Sequence, residues 1–473
     1  MDCYEKFEGQ IKEAAEEFGK IDKKETIRLV SHIDADGISS CSLFVKFLNN
    51  QNMKYSVSTV QNLTKEVILG IAKEPYKYVV FTDLGSGMMT DISRILREKK
   101  ALILDHHEPE VKNPEFENIS IVNPHFAGID GGKEISGSGV VYMFTREIDS
   151  KMEEFAHVAL IGAVGDSQES NGFLHLNNNI LETSILKKKV EIRRGLRLFG
   201  AQTRPLHKVL EYSTDPYIPG ISGSESGAIQ FLQQIGIQPK NGNGWKKVGH
   251  LTEEEMKSLV AGIIMQRFGE TNPEDVLGNI YILTEEKEES PTKEIREFAT
   301  LLNACGRMGK SSLGIGACLG DQKIKEKAIR SMDDYKKEII SAMRWFESNK
   351  GNGCVTYADG YIIINAKDQI MPTLIGTLAS MISKSNGTKE GTFILSMAQI
   401  LDGSTKISLR MAGRNNNADL KNVMEKMIGG ISGCEVGGHQ NAAGALIPTL
   451  KEAEFLETAR NVLEKLSVEE KVI

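Results

Sequence analysis

The chain has 473 residues, of which 40% are hydrophobic, 26% are charged and only 12 are proline. That balance excludes disordered and low-complexity classes and leaves room for about three domains, or two large ones. A net charge of −7 argues against coating nucleic acid by bulk charge but permits a local basic groove.

No apolar run approaches the about 18 residues of a membrane span. The opening stretch from Met1 to Lys20 is charged and has no signal-like apolar region. A soluble, cytoplasmic protein without a membrane partner is therefore expected. Cys3, Cys41, Cys305, Cys318, Cys354 and Cys434 form no C-x-x-C pair, so they are expected to be reduced packing residues.

In chain order, Ile27–Val30, Tyr55–Val60, Tyr78–Phe81, Ala101–Leu104 and Ile119–Val122 read as buried strands. Ile38, Cys41, Val45 and Leu48 recur between them at helical spacing, as do Val67, Ile68 and Ile71. Such alternation predicts an α/β fold with a mostly parallel sheet covered on both faces. Ligands of such sheets bind beyond the carboxyl ends of the strands. From about Lys151 to Trp345 helical patterns dominate, with an insertion around 212–290 and a connector helix over 321–348. Strand patterns return at Cys354–Ala366, Phe393–Ala398 and Lys406–Arg410, separated by helices at Pro372–Ser383 and Ala418–Met427. The expected division is a domain over 1–345 and a smaller α/β domain over 349–473.

Chemistry gathers at the ends of the early elements. The first strand runs into His32, Asp34 and Asp36, the third ends at Asp83, and the fourth at Asp105, His106 and His107. A later apolar helix ends at Asp166. So many carboxylates at one end of one sheet would repel each other and raise their own pKa values unless divalent cations neutralise them. Oxygen ligands with a few imidazoles and no thiolates suit Mn²⁺ or Mg²⁺.

The motifs His32-Ile-Asp34-Ala-Asp36-Gly37, Thr82-Asp83-Leu-Gly85, Asp105-His106-His107 and Gly162-Ala-Val-Gly165-Asp166, in that order, resemble the four motifs of the DHH phosphoesterase superfamily. Val436-Gly437-Gly438-His439, followed by Ala442-Ala443-Gly444, is similar to the glycine-rich signature of the DHH-associated domain. Length and spacing look most like the RecJ branch, in particular the archaeal RecJ-like nucleases that include the GINS-associated nuclease. Val436 replaces the first glycine of that signature, and His32 stands where bacterial RecJ commonly has an acid.

The resemblance implies a DHH domain joined to a DHH-associated nucleic-acid-binding domain, and two divalent cations. His32 and Asp34 would hold one, Asp36, His106 and Asp166 the other, with Asp83 bridging. Asp105 would orient His106, and His107 would meet the scissile phosphate and protonate the leaving oxygen. It further implies a single-strand exonuclease, 5′ to 3′ on DNA rather than RNA, working in replication or repair, with GINS and the replicative helicase as candidate partners. Single-stranded RNA, a small phosphoester substrate and a mainly structural replication role are the alternatives.

Leu186–Lys208 carries eight Lys and Arg residues against the single acid Glu191, a stretch that would suit a groove tracking phosphates. Within it Arg193, Arg194 and Arg197 are expected close together on a helix, facing substrate. Ala304 to Ser311 fits a relaxed phosphate-loop pattern, but the preceding stretch has helical rather than strand character. The same segment is similar to a RecJ stretch lining the nucleic-acid path, which makes Asn303 and Arg307 candidate contacts. Arg410 at a strand end, with Gly437, Gly438 and His439 in a glycine-rich turn, completes the expected phosphate clamp.

Overall fold

The structure is a computed structural model describing residues 2–112, 114–169, 172–213, 216–242, 244–269, 272–385, 387–413, 418–439 and 442–469. The chain forms two compact units, residues 1–332 and 333–473.

The first unit is built on five strands, β1 (Thr26–His32), β2 (Lys54–Val60), β3 (Tyr78–Thr82), β4 (Lys100–Leu104) and β5 (Ile119–Val122). They are all parallel, in the order β2-β1-β3-β4-β5. The chain reverses its direction of build across β1, so a crevice opens between the carboxyl ends of β1 and β3. Register sets the level at which the chain leaves each strand. Ser31 pairs with Thr82, and Thr82 with Leu104, so His32, Asp83 and Asp105 emerge side by side.

Helices α1 (Cys3–Gly19), α2 (Ala35–Asn50), α3 (Lys65–Ala72), α4 (Met89–Ile95), α5 (Gly137–Ile148) and α6 (Ala156–Gly165) cover this sheet. In α1, Asp2 and Glu5 form a reciprocal cap, and Phe7, Ile11, Ala14, Ala15 and Phe18 make one buried face. Ala156 and Val158–Val164 are all buried, as expected of a helix apolar on every side. Phe18, Phe44, Phe47 and Phe144 join α1, α2 and α5, with Phe18 edge-on to Phe44 at 5.8 Å. Cys41, Cys305 and Cys318 are buried in the same core, while Cys3, Cys354 and Cys434 are half-buried.

The chain continues through α7 (His175–Leu186) into β6 (Val190–Leu196), then α8 (Leu206–Glu211) and α9 (Glu225–Gln234). A short hairpin comes next, β7 (Lys240–Asn241) and β8 (Gly244–Trp245), then α10 (Glu253–Gln266) and β9 (Leu277–Leu283). β6 and β9 pair antiparallel. Between them a separate apolar core, including Leu206, Leu210, Phe231, Leu232, Leu259 and Ile263, marks an inserted subdomain. Helices α11 (Ile295–Arg307) and α12 (Ser311–Cys318) return to the main core, and α13 (Gln322–Ser348) is one long helix within which the two units divide.

The second unit carries six strands, β10 (Val355–Ala358), β11 (Tyr361–Asn365), β12 (Phe393–Gln399), β13 (Ser404–Met411), β14 (Glu435–His439) and β15 (Ala442–Pro448). Their order is β10-β11-β12-β13-β15-β14, and only β11 and β12 run parallel. α14 (Ile375–Ser383) packs on β12 and β13. The apolar residues of α15 (Leu420–Ile428) and α16 (Glu452–Glu469) bury with Phe393, Leu395 and Met397.

Two local expectations are corrected. Arg193 and Arg194 lie on strand β6, with Arg197 just beyond its end, and not on a helix. Cross-strand pairing with Ile280 and Asn279 decides this over local periodicity. Gly437, Gly438 and His439 lie in β14 and not in a turn, Gly437 opposite Gly444 and Gly438 opposite Ala443. Among the described residues no helix is long and apolar enough to cross a membrane.

Phe44 is fully buried at the centre of the ring cluster. Phe44→Ala is expected to cost about 3–5 kcal/mol, measured as the shift in urea unfolding of the full chain. A change below about 1 kcal/mol, the size of a surface effect, would show that the cluster does not hold these helices together.

Candidate metal centre

The acidic side chains come from several elements, and the register brings those elements together. Asp34 is the N-cap of α2, accepting the Gly37 N–H at 2.9 Å, and Asp36 lies in the first turn of the same helix. Asp83 comes directly after β3 in the left-handed region at φ 59°, a conformation that costs a non-glycine residue energy. Asp166 is the C-cap of α6. Asp36, Asp83 and Asp105 are at most 1% exposed.

The ligand atoms form three overlapping groups: His32, Asp34 and Asp83; Asp36, His106 and Asp166; Asp83, His106 and His107. His32 Nδ1 is 2.9 Å from Asp34 Oδ2 and 3.7 Å from Asp83 Oδ2. His106 Nε2 is 3.3 Å from Asp166, 3.4 Å from Asp83 and 3.7 Å from Asp36. Both Asp83 oxygens, His32 Nδ1 and His106 Nε2 are buried without a hydrogen bond. Ligands of a small divalent cation stand about 3 Å apart around it, and the gaps around His106, all longer than about 3.2 Å, fit coordination better than direct bonding. An oxygen-rich set with imidazoles and no thiolate fits Mn²⁺ or Mg²⁺.

The electrostatics agree. Burial, reinforced by Asp83 and Asp166, pushes the Asp36 carboxyl well up. Burial also pushes Asp166 up to about 7 against the opposing charge of His106, with Asp34 and Asp83 adding repulsion. Burial opposes charge on His32 and His106, yet the facing carboxylates outweigh it and push both imidazoles well above their ordinary range. Against burial, His32 holds Asp34 below the usual carboxylate range, and His107 does the same for Asp105. Protons therefore collect where cations would otherwise balance the charge.

The supporting groups were not anticipated, apart from Asp105, whose target changes. Asp105 Oδ1 bonds the His107 ring at Nδ1, 2.7 Å, and not the His106 ring. His106 Nδ1 lies 2.7 Å from the Gly131 carbonyl, which fixes that ring instead. The reason is local: Asp105 accepts the Ser86, His106 and His107 backbone N–H groups, which turns its carboxylate along the loop. Gln168 donates to the same Gly131 carbonyl at 3.0 Å, and Asn177 donates to Gln168. Asn123 donates to the His107 carbonyl at 2.8 Å.

The serine-glycine run at Ser136–Gly139 starts α5, and its N-terminus receives the protein's own anion: Gly137 and Ser138 N–H groups bond Asp36. A side chain at Gly137 would meet Asp83 Oδ1 at 2.5 Å, and one at Gly162 would meet Asp36 Oδ1 at 2.2 Å. Only glycine lets these backbones approach so closely.

The expected substrate contacts lie on several elements of the two units. Asn303 Oδ1 accepts the Ala35 N–H at 3.0 Å, tying α11 to the loop between Asp34 and Asp36, and Arg307 is the last residue of that helix. Since α11 precedes Gly309-Lys310-Ser311, a phosphate loop is excluded there. Arg193 pairs with Glu191, and Arg197 with Glu169. Lys187, Lys189 and Lys208 also pair with acids, all from outside the segment, so most of its charge is balanced. Lys188 and Arg194 have no ion-pair partner among the described residues. Arg410 donates to Ser380, Ser408 and the Leu409 carbonyl in the second unit.

The sheet, the crevice at its switch point and the carboxylate cage define a class, and comparison places the chain within it. Residues 26–163 match the DHH family N-terminal domain, 198–279 the DHH-CID domain and 355–465 the DHHA1 domain. An uncharacterized protein of Methanocaldococcus jannaschii is 31% identical over 441 residues, covering 92% of this chain and 93% of that protein. YorK, an SPbeta prophage-derived protein of Bacillus subtilis named as a candidate single-strand DNA-specific exonuclease, is 25% identical over 145 residues. That match covers 29% of this chain and 25% of YorK.

Among solved structures, RecJ of Thermus thermophilus in complex with Mn²⁺ superposes with a TM-score of 0.58 at 14% identity. The superposition covers 96% of this chain but only 55% of that one. CDC45 of Entamoeba histolytica gives 0.58 at 12% identity, covering 99% of both chains. At these identities the structural likeness is one of fold. The chain belongs to the DHH superfamily, and its fold is like that of RecJ.

Burial pushes Asp166 up to about 7, and Asp36, His32 and His106 are pushed up as well, so each must lose a proton to ligate a cation and metal affinity should fall on acidification. Loss of at least one proton per ion predicts at least about tenfold weaker Mn²⁺ binding for each pH unit below 7. Titration calorimetry from pH 5.5 to 8 checks this. A flat profile would contradict the carboxyl environment described.

Proposed function

We propose that this protein is a divalent-metal-dependent phosphodiesterase, acting as an exonuclease on single-stranded nucleic acid. The substrate is DNA rather than RNA, degraded 5′ to 3′ in replication or repair. The observation that carries the reading is Asp83: a buried carboxylate, both oxygens without a hydrogen bond, shared between the His32–Asp34 group and the His106–His107 group. A group held so costs several kcal/mol unless something charged binds it. The candidate single-strand exonuclease YorK and the Mn²⁺ complex of RecJ support the substrate and the metal.

In this reading His32 and Asp34 hold one cation, Asp36, His106 and Asp166 a second, and Asp83 bridges. Two such cations, Mn²⁺ or Mg²⁺, would neutralise charge on the phosphate and acidify a water for in-line attack. The remaining work falls to the chain. The Asp105 carboxylate accepts a hydrogen bond from His107 Nδ1 and keeps that ring protonated and aimed into the crevice, where it donates a proton to the leaving oxygen. Burial excludes bulk water from Asp36 and Asp83, which strengthens every charge interaction in the cage.

The fold likeness to CDC45 favours a second reading, a mainly structural replication component with GINS and the helicase as partners. The intact ligand set weighs against it, since a scaffold gains nothing from burying so many unpaired acids.

The test is incubation with end-labelled single-stranded DNA and RNA of both polarities, with Mn²⁺, Mg²⁺ or chelator. Mononucleotides released from the 5′ end of DNA, and only with metal, are expected. Asp83→Ala should lower the rate at least about 1,000-fold, the scale of losing a main electrostatic stabiliser. Retention of more than a few per cent of activity would remove Asp83 from the bridging role, and turnover confined to dinucleotides or pyrophosphate would reassign the substrate.

A further inference from the structure

One cluster in the inserted subdomain takes no part in the metal cage, yet the chain ties it closely to that cage. Three residues beyond Asp166, Glu169 Oε1 lies 3.0 Å from Arg296 Nη2 and 3.9 Å from Arg197 Nη2. The neighbour of Arg296 on α11, Glu297, accepts the Gln202 N–H at 3.1 Å and the Thr203 hydroxyl at 2.7 Å. Arg204 comes next. Six residues along the same helix, about 9 Å, Asn303 holds the loop that carries Asp34 and Asp36.

Arg204 is unusual for a half-buried cation. Its guanidinium carbon stands 4.9 Å from the centroid of the Phe199 ring and 5.3 Å from that of Tyr212. Among the described residues its guanidinium has neither a hydrogen bond nor an ion pair, and Glu297 is the acid whose field reaches it. Every neighbouring cation is different: Arg197, Arg296 and Lys208 all have carboxylate partners. Two rings thus flank the guanidinium while no acid pairs with it, an arrangement that suits phosphate. The Tyr212 ring beside it is 51% exposed, and half-exposed rings next to cations are platforms on which bases stack regardless of sequence.

We infer that Phe199, Arg204 and Tyr212 form an outlying subsite for single-stranded nucleic acid, Arg204 taking a backbone phosphate and Tyr212 stacking on a base. This rests on the reading of the metal centre as a nuclease site. The subsite lies outside the cage and is tied to it through α11, so it grips strands that extend beyond the cleaved end.

The test measures binding of labelled deoxyoligonucleotides of about 20 and about 3 nucleotides to the full chain by fluorescence anisotropy, in chelator so that nothing is cut. Arg204→Ala and Tyr212→Ala are each expected to weaken binding of the long strand about tenfold, within the range of one lost stacking contact. They should also shrink the preference for long over short strands. Arg204→Ala should further flatten the slope of log affinity against log salt by about 0.7, one phosphate contact to a single strand. Tyr212→Phe keeps the ring and should restore the affinity lost in Tyr212→Ala. Since Tyr212 is half exposed, its variants test the subsite even where Arg204→Ala unsettles the subdomain core. Wild-type binding and cleavage with both alanine variants unchanged would overturn this inference alone. A wild-type protein that neither binds nor cuts single strands would overturn the nuclease reading and this subsite with it.

Discussion

Asp36, Asp83 and Asp105 are almost wholly removed from water, and Asp34 and Asp166 face them across a few ångströms. Mutual repulsion in that space would open the crevice if the surrounding backbone did not oppose it. The α5 N-terminus points two N–H groups at Asp36, and three backbone N–H groups converge on Asp105. Level strand ends set His32, Asp83 and Asp105 side by side. Glycines at 137 and 162 let helices close on the carboxylates without a side chain between. The architecture of the first unit can be understood as scaffolding that holds like charges together until cations arrive.

The sheet of the first unit was readable because parallel strands covered on both faces show as largely apolar runs, and three of the five runs led into an acid or histidine. The acids themselves carried the site. Their supporting groups did not announce themselves. Gly131 contributes a carbonyl, which any residue possesses, and Gln168 and Asn177 become meaningful only once folding places them beneath His106. Asp105 shows the same limit from the other side: its importance was evident, but adjacency in sequence could not tell which histidine ring it would face.

Charge was read less well than geometry. Leu186–Lys208 looks strongly basic when counted alone, yet Glu153, Glu285, Glu169 and Glu225 arrive from other elements to balance it. A local sum of lysines cannot see partners nearly a hundred residues away. The helical spacing of Arg193, Arg194 and Arg197 misled for a related reason, since β9 supplies a pairing edge that local propensity does not contain. In β14 the two glycines suggested a bend, but β15 draws them into a ladder.

The inserted subdomain hangs on the two antiparallel strands β6 and β9 and keeps a core of its own. A module rooted on so narrow a stem can be lengthened, trimmed or exchanged over evolutionary time with little disturbance to the catalytic sheet. Glu297 is the exception. Its buried carboxylate grips the 202–203 turn from α11, so the junction, rather than the module's interior, is where divergence between relatives should be most tightly restrained.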